Sequence, residues 1–64
     1  MDRMDQILVA AERQGFKCFQ AHSGMWIFSR GMVTLTIHHT PITEGEWMDM
    51  LNALRGAGLI FPEE

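Results

Sequence analysis

The chain has 64 residues, a single cysteine and a formal net charge of −3. A chain of this length buries only about 60% of its unfolded surface, so residues 1–64 are expected to form one domain around one core. One cysteine excludes an internal disulfide, and no Cys/His spacing is typical of a zinc site. No apolar run approaches the roughly 18 residues that cross a bilayer, and no segment resembles a signal peptide. The sequence therefore predicts a cytoplasmic protein that spans no membrane.

The acidic net charge limits the partners that the protein is expected to bind. Negative charge repels a phosphate backbone at long range, and the five basic residues are scattered along the sequence. RNA binding, if it occurs, is therefore expected to be weak. A core this small leaves little room for a pocket of several hundred Å³, so the sequence predicts neither a small-molecule cofactor nor a bound metal.

Apolar residues recur at helical spacing near the start of the chain, which predicts an amphipathic helix over residues 3–14. Its buried stripe comprises Met4, Ile7, Leu8 and Ala11. Asp2 is placed to cap the N-terminus. Gly15 supplies the left-handed position that ends such a helix, and Phe16 supplies the apolar contact that accompanies this ending.

Three extended segments follow, and the sequence Ser-Gly or Arg-Gly separates each from the next. Gly24 and Gly31 offer the positive φ that tight turns require. The predicted strands are residues 16–21, 25–29 and 32–38. Because short turns place consecutive strands side by side, we expect an antiparallel meander with the second strand in the centre.

The second helix has the strongest local signal in the chain. Thr43 and Glu46 form a capping-box pattern, and Ile42 is placed to pack against Trp47 as a hydrophobic staple. The helix is expected to end at Gly58, as the first ends at a glycine. Its buried stripe comprises Trp47, Met50, Leu51 and Leu54. The predicted fold is α+β with the order α-β-β-β-α, in which both helices pack on one face of the sheet.

The second strand is apolar at four successive positions, so both of its faces carry apolar side chains. If Trp26 and Phe28 face the helices, Met25 and Ile27 lie on the other face. The interaction surface predicted on that face comprises Met25, Ile27, Met32, Thr34 and Thr36. Such a patch on a small protein is typical of a contact surface. The alternatives are that the apolar tail at 59–61 covers it, or that the patch is too small to matter.

The histidines and the cysteine are the remaining candidates for chemistry. His38 and His39 are adjacent, so on a strand they point to opposite faces, and one metal cannot easily bind both. We interpret both as polar residues at the end of a strand. His22 lies in the first predicted turn. Cys18 is interpreted as a small core residue and not as a nucleophile.

Four short stretches carry a family resemblance. They are Gly15-Phe16 at the end of the first helix, Ile27-Phe28 in the second strand, Val33-Thr34 followed by His38, and Ala57-Gly58-Leu59 at the end of the second helix. Together with the α-β-β-β-α order, they resemble the HicA family of small bacterial toxins. The resemblance implies a double-stranded-RNA-binding-like fold, cleavage of messenger RNA and neutralisation by a HicB antitoxin.

The family motif in the second strand is Gly-Ser-His-x-x-Phe. When its phenylalanine is placed on Phe28, Met25 occupies the position of the catalytic histidine. A methionine cannot act as a general acid or base, so no catalytic residue is predicted. If the protein acts on RNA as the resemblance implies, the residues expected to take part are His22, Lys17, Arg30 and His38.

Two classes of function follow. The first is a non-catalytic interaction or regulatory module of a bacterium or phage, which binds a protein partner or a second copy through the open sheet face. The alternative is a HicA-like RNA-binding protein or messenger-RNA interferase that uses His22 or His38. The acidic charge and the methionine at the histidine position favour the first class, whereas only the family resemblance supports the second.

Overall fold

A computed structural model describes residues 2–62 as an α+β fold. Its elements are α1 (Arg3–Arg13), β1 (Lys17–Gln20), β2 (Trp26–Arg30), β3 (Val33–Ile37) and α2 (Glu44–Gly56). The strands form one antiparallel sheet in the order β1-β2-β3. The predicted element order and the central position of β2 are confirmed, and each predicted strand end lies one residue from the observed end. Neither helix is long and apolar enough to cross a membrane, as judged over the described residues.

Both helices start at caps formed by neighbouring residues. The Asp2 carboxylate accepts a hydrogen bond from the main-chain N–H of Asp5 at 2.8 Å. The Thr43 hydroxyl accepts the N–H of Glu46 at 3.1 Å, and the Glu46 carboxylate accepts the N–H of Thr43 at 3.1 Å, which is the predicted capping box. The predicted staple is wrong, because the Ile42 side chain is 81% exposed. Its main-chain N–H instead donates to Glu46 Oε1 at 3.0 Å, and the side chain points to water.

Both helices also end as predicted, at a glycine in the left-handed region. Gly15 and Gly58 have φ of 91° and 103°. The N–H of the residue after each glycine donates to the carbonyl five positions earlier, at 2.9 Å from Phe16 and 3.0 Å from Leu59. This is the hydrogen bond of a Schellman motif, and it directs each chain segment back toward the core.

The strand register assigns the side chains to two faces, because directly opposed residues lie on the same face. One row that faces the helices is Cys18, Phe28 and Leu35. Phe28 is fully buried at the centre of the core, and Trp26 packs against that core, so the predicted facing of both aromatics is confirmed. The buried cluster comprises Met4, Ile7, Ala11, Phe16, Phe28, Met50, Leu54 and Leu59.

The other face of the sheet, called here the open face, carries two rows. They are Lys17-Ser29-Thr34 and Phe19-Ile27-Thr36. The tail after α2 lies on the opposite side, since Leu59 is buried in the core and Phe61 packs against it. Ile60 is held by the Gln14 side chain, which bonds both its N–H and its carbonyl at 2.8 Å. The alternative in which residues 59–61 cover the open face is therefore wrong.

Candidate functional site

The open face presents apolar side chains to water beside hydroxyl groups. Phe19 is 61% exposed and stands directly opposite Ile27, which in turn stands opposite Thr36. Met32 is fully exposed at the tip of the β2–β3 hairpin, next to Gly31 with its φ of 58°. The Phe19–Ile27 pair therefore forms the apolar part of a row on the open face, and Met32 adds an exposed apolar side chain at the hairpin tip.

The residues predicted for this surface are placed in two groups. Ile27, Thr34 and Thr36 lie on the open face, and both threonines are exposed. Met25 is half-buried just before β2, and Met32 lies beyond its end. The sequence prediction missed Phe19. Its position could have been predicted from Cys18, because in a strand the residue next to one that faces the helices points to the other face.

A second feature is a cleft of about 230 Å³ between the end of β3 and the first half of α2, called here the β3–α2 cleft. Ile37, Pro41 and Met50 give it apolar walls. The polar groups that line it are Thr36, His38, His39, Glu46 and Asp49. The Asp49 side chain makes no hydrogen bond or ion pair with another residue in the 2–62 range.

The other carboxylate of the cleft is committed to the helix cap. Glu46 Oε1 accepts the N–H groups of Ile42 and Thr43, and these hydrogen bonds lower the pKa of the Glu46 carboxyl. Its Oε2 lies 3.4 Å from Nε2 of His39, whose Nδ1 is 2.8 Å from the carbonyl oxygen of Thr40. Both oxygens only accept, so a ring nitrogen that carries a hydrogen donates to the oxygen beside it. Both ring nitrogens of His39 therefore adjoin oxygen atoms of the protein.

The four residues predicted for RNA binding are not brought together. His22 lies in the β1–β2 connection and His38 follows β3, so both are at the sheet end where β2 begins. Lys17 and Arg30 lie at the other end of the sheet. The length of β2 separates the two ends, which is roughly four residue steps of about 3.3 Å each. These two basic residues also point to opposite faces, since Lys17 pairs with Ser29 on the open face.

The Arg30 guanidinium is used within the fold. Its Nη1 donates to the carbonyl of Gln14 at 3.1 Å, and its Nη2 donates to the carbonyl of Ala57 at 2.8 Å. These are the C-cap residues of α1 and α2. The guanidinium carbon also stands 4.3 Å from the ring centroid of Phe16. One cation on the sheet thus binds the negative ends of both helix dipoles.

The single cysteine has the properties of a structural residue. Cys18 packs against the core as predicted, and its burial together with the nearby Glu12 carboxylate raises the thiol pKa to about 11. Because the thiolate is the nucleophile, a thiol with this pKa is unreactive at neutral pH. No group of three or more metal-ligating side chains occurs among residues 2–62.

A comparison of the chain with protein-family models, with curated proteins and with solved structures found no match. The fold and the surfaces define the class. It is a small α+β domain of order α-β-β-β-α, in which two helices cover one face of a three-stranded meander and leave the other face open.

Proposed function

We propose that the protein is a non-catalytic interaction or regulatory module that binds a protein partner through the open face. The observation that carries this proposal is the Phe19–Ile27 pair, in which an aromatic ring that is 61% exposed lies beside an apolar β-branched side chain. No described element covers this pair. Exposed aromatic and aliphatic side chains that adjoin one another are typical of binding hot spots.

The charge of the open face supports a protein as the ligand. Its two rows contain one charged side chain, Lys17, and no carboxylate. A phosphate backbone requires a cluster of cations, which a single lysine does not provide. Two copies of this face would not repel each other either, although each chain carries a net charge of −3. A second copy is therefore the first partner to test.

The non-catalytic part of the proposal draws on three groups. Met25 occupies the position that the HicA-like motif gives to histidine. The two ring nitrogens of His39 lie against the Thr40 carbonyl oxygen and Glu46 Oε2, and Cys18 keeps its proton at neutral pH. A methionine cannot act as a general acid or base, and a protonated thiol is not the nucleophilic thiolate.

The test is sedimentation of the wild type and of Ile27→Glu over a range of concentrations. An unpaired carboxylate at the centre of an interface costs several kcal/mol, so the variant should remain monomeric at concentrations where the wild type associates. Asn52→Glu adds the same charge on the exposed side of α2 and should behave as the wild type does. Equal association of all three proteins would exclude the open face as the interface.

The HicA-like RNA-directed function is the second candidate, supported by the α-β-β-β-α order that the fold shares with that resemblance. A shared fold does not by itself establish a shared function, because one fold can carry many activities. The experiment is an RNA degradation assay with the wild type, His22→Ala and His38→Ala. We expect no cleavage by any of them. Cleavage that either substitution abolishes would replace the interaction module with a nuclease.

A further inference from the structure

The outer edge of β3 lacks the usual protection of an edge strand. No strand pairs with its outer side in the described part of the chain. Its sequence, Val-Thr-Leu-Thr-Ile, contains no charge, proline or glycine. Proteins normally block an exposed edge with such residues, because unpaired N–H and C=O groups can bind another strand. The opposite edge, β1, is shorter and carries Lys17.

The register identifies the main-chain groups that face outward. Arg30 and Val33 close a two-residue hairpin, so they form the hydrogen-bonded type of pair. Because hydrogen-bonded and non-hydrogen-bonded pairs alternate along an antiparallel ladder, Thr34 and Thr36 direct their N–H and C=O groups away from β2. Two donors and two acceptors are thus aligned along this edge.

The β3–α2 cleft begins where this edge ends. Ile37 is the last residue of β3 and also forms an apolar wall of the cleft, opposite Met50 of α2. At about 230 Å³ the cleft is smaller than the roughly 300–1,000 Å³ of ligand pockets, so it suits a side chain better than a whole small molecule. Asp49 adds a carboxylate without a partner among residues 2–62.

We propose that the β3 edge and the β3–α2 cleft together bind an extended segment of a partner protein as a fourth strand of the sheet. The segment pairs its main chain with Thr34 and Thr36. It inserts an apolar side chain between Ile37 and Met50, and it presents a lysine or arginine to Asp49. In this mode of recognition, main-chain hydrogen bonds provide affinity and pockets for alternate side chains provide specificity. The site shares Thr34 and Thr36 with the open face, but it uses their outward main-chain groups and does not include the Phe19–Ile27 pair.

The charge of the cleft favours such a partner over a second copy of the chain. A two-fold antiparallel pairing of β3 with itself would be centred on Leu35 and would place Val33 of the second copy opposite Ile37. Arg30, the basic residue nearest to Val33 in the described sequence, is held by the two helix C-caps and would not be available to pair with Asp49. The five residues of β3 also fall well short of the roughly 20–30 residues per side of a stable interface.

The probes are capped heptapeptides of the sequence Thr-Val-Thr-X-Thr-Lys-Thr, with valine, leucine or phenylalanine at X. Binding to ¹⁵N-labelled protein is followed by NMR titration. We expect amide shifts at Thr34, Thr36 and Asp49, and protection of the two threonine amides from exchange. A peptide with glutamate in place of lysine should bind about tenfold more weakly, because it loses a charge-assisted hydrogen bond. Two further peptides are N-methylated at alternate residues, one at the odd positions and one at the even positions. Only the peptide whose methylated N–H groups would pair with β3 should lose binding.

Protein variants separate this site from other surfaces. Asp49→Asn should abolish the preference for lysine over glutamate, whereas Asp5→Asn, an equal charge change on α1, should retain it. Thr36→Pro removes an outward donor, a change that edge strands tolerate, and should weaken all peptides. Ile27→Glu should bind the peptides as the wild type does. The β3-edge proposal would therefore stand even if the open-face proposal failed.

Three results would overturn the proposal. The first is the absence of β3 amide shifts with every peptide at millimolar concentration. The second is a set of shifts at Phe19 and Ile27 in place of β3. The third is a shift of the Thr34 amide that depends on protein concentration in the absence of peptide and that Thr36→Pro removes, because the edge would then bind a second copy.

Discussion

The two ends of the helix pair are stabilised in different ways. At the N-terminal end each helix is capped by its own residues, and the helices are joined by the Arg3–Glu44 ion pair at 2.9 Å, in which both side chains are exposed. At the C-terminal end the partly buried Arg30 binds the C-cap carbonyls of both helices. Gln14, the C-cap residue of α1, also bonds Ile60 beyond α2 through both of its amide atoms.

This difference separates a structural end of the molecule from an end available for binding. Exposed ion pairs contribute little, typically about 0–1 kcal/mol, whereas hydrogen bonds to a charged donor that is shielded from water contribute about 1.5–3 kcal/mol. The C-terminal end therefore holds the helices together. The N-terminal half of α2 retains Asp49 without a partner and an apolar cleft, which are features of a binding site.

Arg30→Met gives the largest effect that we expect from this comparison. Methionine preserves much of the apolar stem but leaves the Gln14 and Ala57 carbonyls without their donor, at a cost of about 3 kcal/mol. Arg3→Met, the same substitution at the N-terminal end, should cost less than about 1 kcal/mol. Chemical denaturation of both variants measures the difference. Equal losses would mean that Arg30 does not join the helices.

A pair of glycine substitutions, one in α2 and one directly after its C-cap, comes next in size. Gly58 has a φ of 103°, and an added Cβ would clash with the Arg30 guanidinium, which would have to shift. Gly58→Ala should therefore lower the free energy of unfolding by about 1–2 kcal/mol. Gly56 is helical and has open space around it, so Gly56→Ala should raise stability by about 0.5–1 kcal/mol. Thermal melts that shift in the same direction would contradict the assigned roles.

The same comparison explains how far the sequence predicts the structure. N-caps and Schellman motifs join residues no more than five positions apart, so Thr43–Glu46 and Gly15–Phe16 could be identified from residue types alone. Alternation within short strands likewise assigned Trp26 and Ile27 to opposite faces. The exposure of Ile42 could not be predicted, because the entry direction of the chain depends on how the Glu46 carboxylate is used.

The features that the sequence did not predict depend on contacts between distant elements. Arg30 lies 16 residues from Gln14 and 27 from Ala57, so no local pattern marks it as a structural cation. The β3–α2 cleft combines the end of a strand, a loop and a helix face. Asp49 appeared in the sequence only as one of several acids, and its position beside Ile37 follows from the docking of α2 on the sheet.

Thr43→Ala tests the local character of the N-terminal end. It removes the acceptor for the N–H of Glu46 and should cost about 1 kcal/mol. Thr43→Ser keeps the hydroxyl and should cost much less. The loss should also be independent of Arg30, so the double variant Thr43→Ala/Arg30→Met should show the sum of the two single losses. Strong non-additivity in thermal or chemical unfolding would show that the two ends are coupled.

The smallest expected effect is a pH dependence of the same cap. Hydrogen bonds from the N–H groups of Ile42 and Thr43, which outweigh the contribution of His39, lower the pKa of Glu46 in the folded state. A carboxyl with a lowered pKa stabilises the fold above its unfolded value of about 4.3, and this stabilisation is lost as the pH falls through the folded value. Glu46→Gln lacks the titrating group, so its difference in stability from the wild type should shrink as the pH is lowered below about 4.3. Glu44→Gln removes an exposed carboxylate of the same helix turn that is not part of the capping box, so it is the matched control for the loss of one negative charge. If Glu46→Gln and the wild type lose stability in parallel from neutral to acid pH, the Glu46 carboxylate does not stabilise the start of α2.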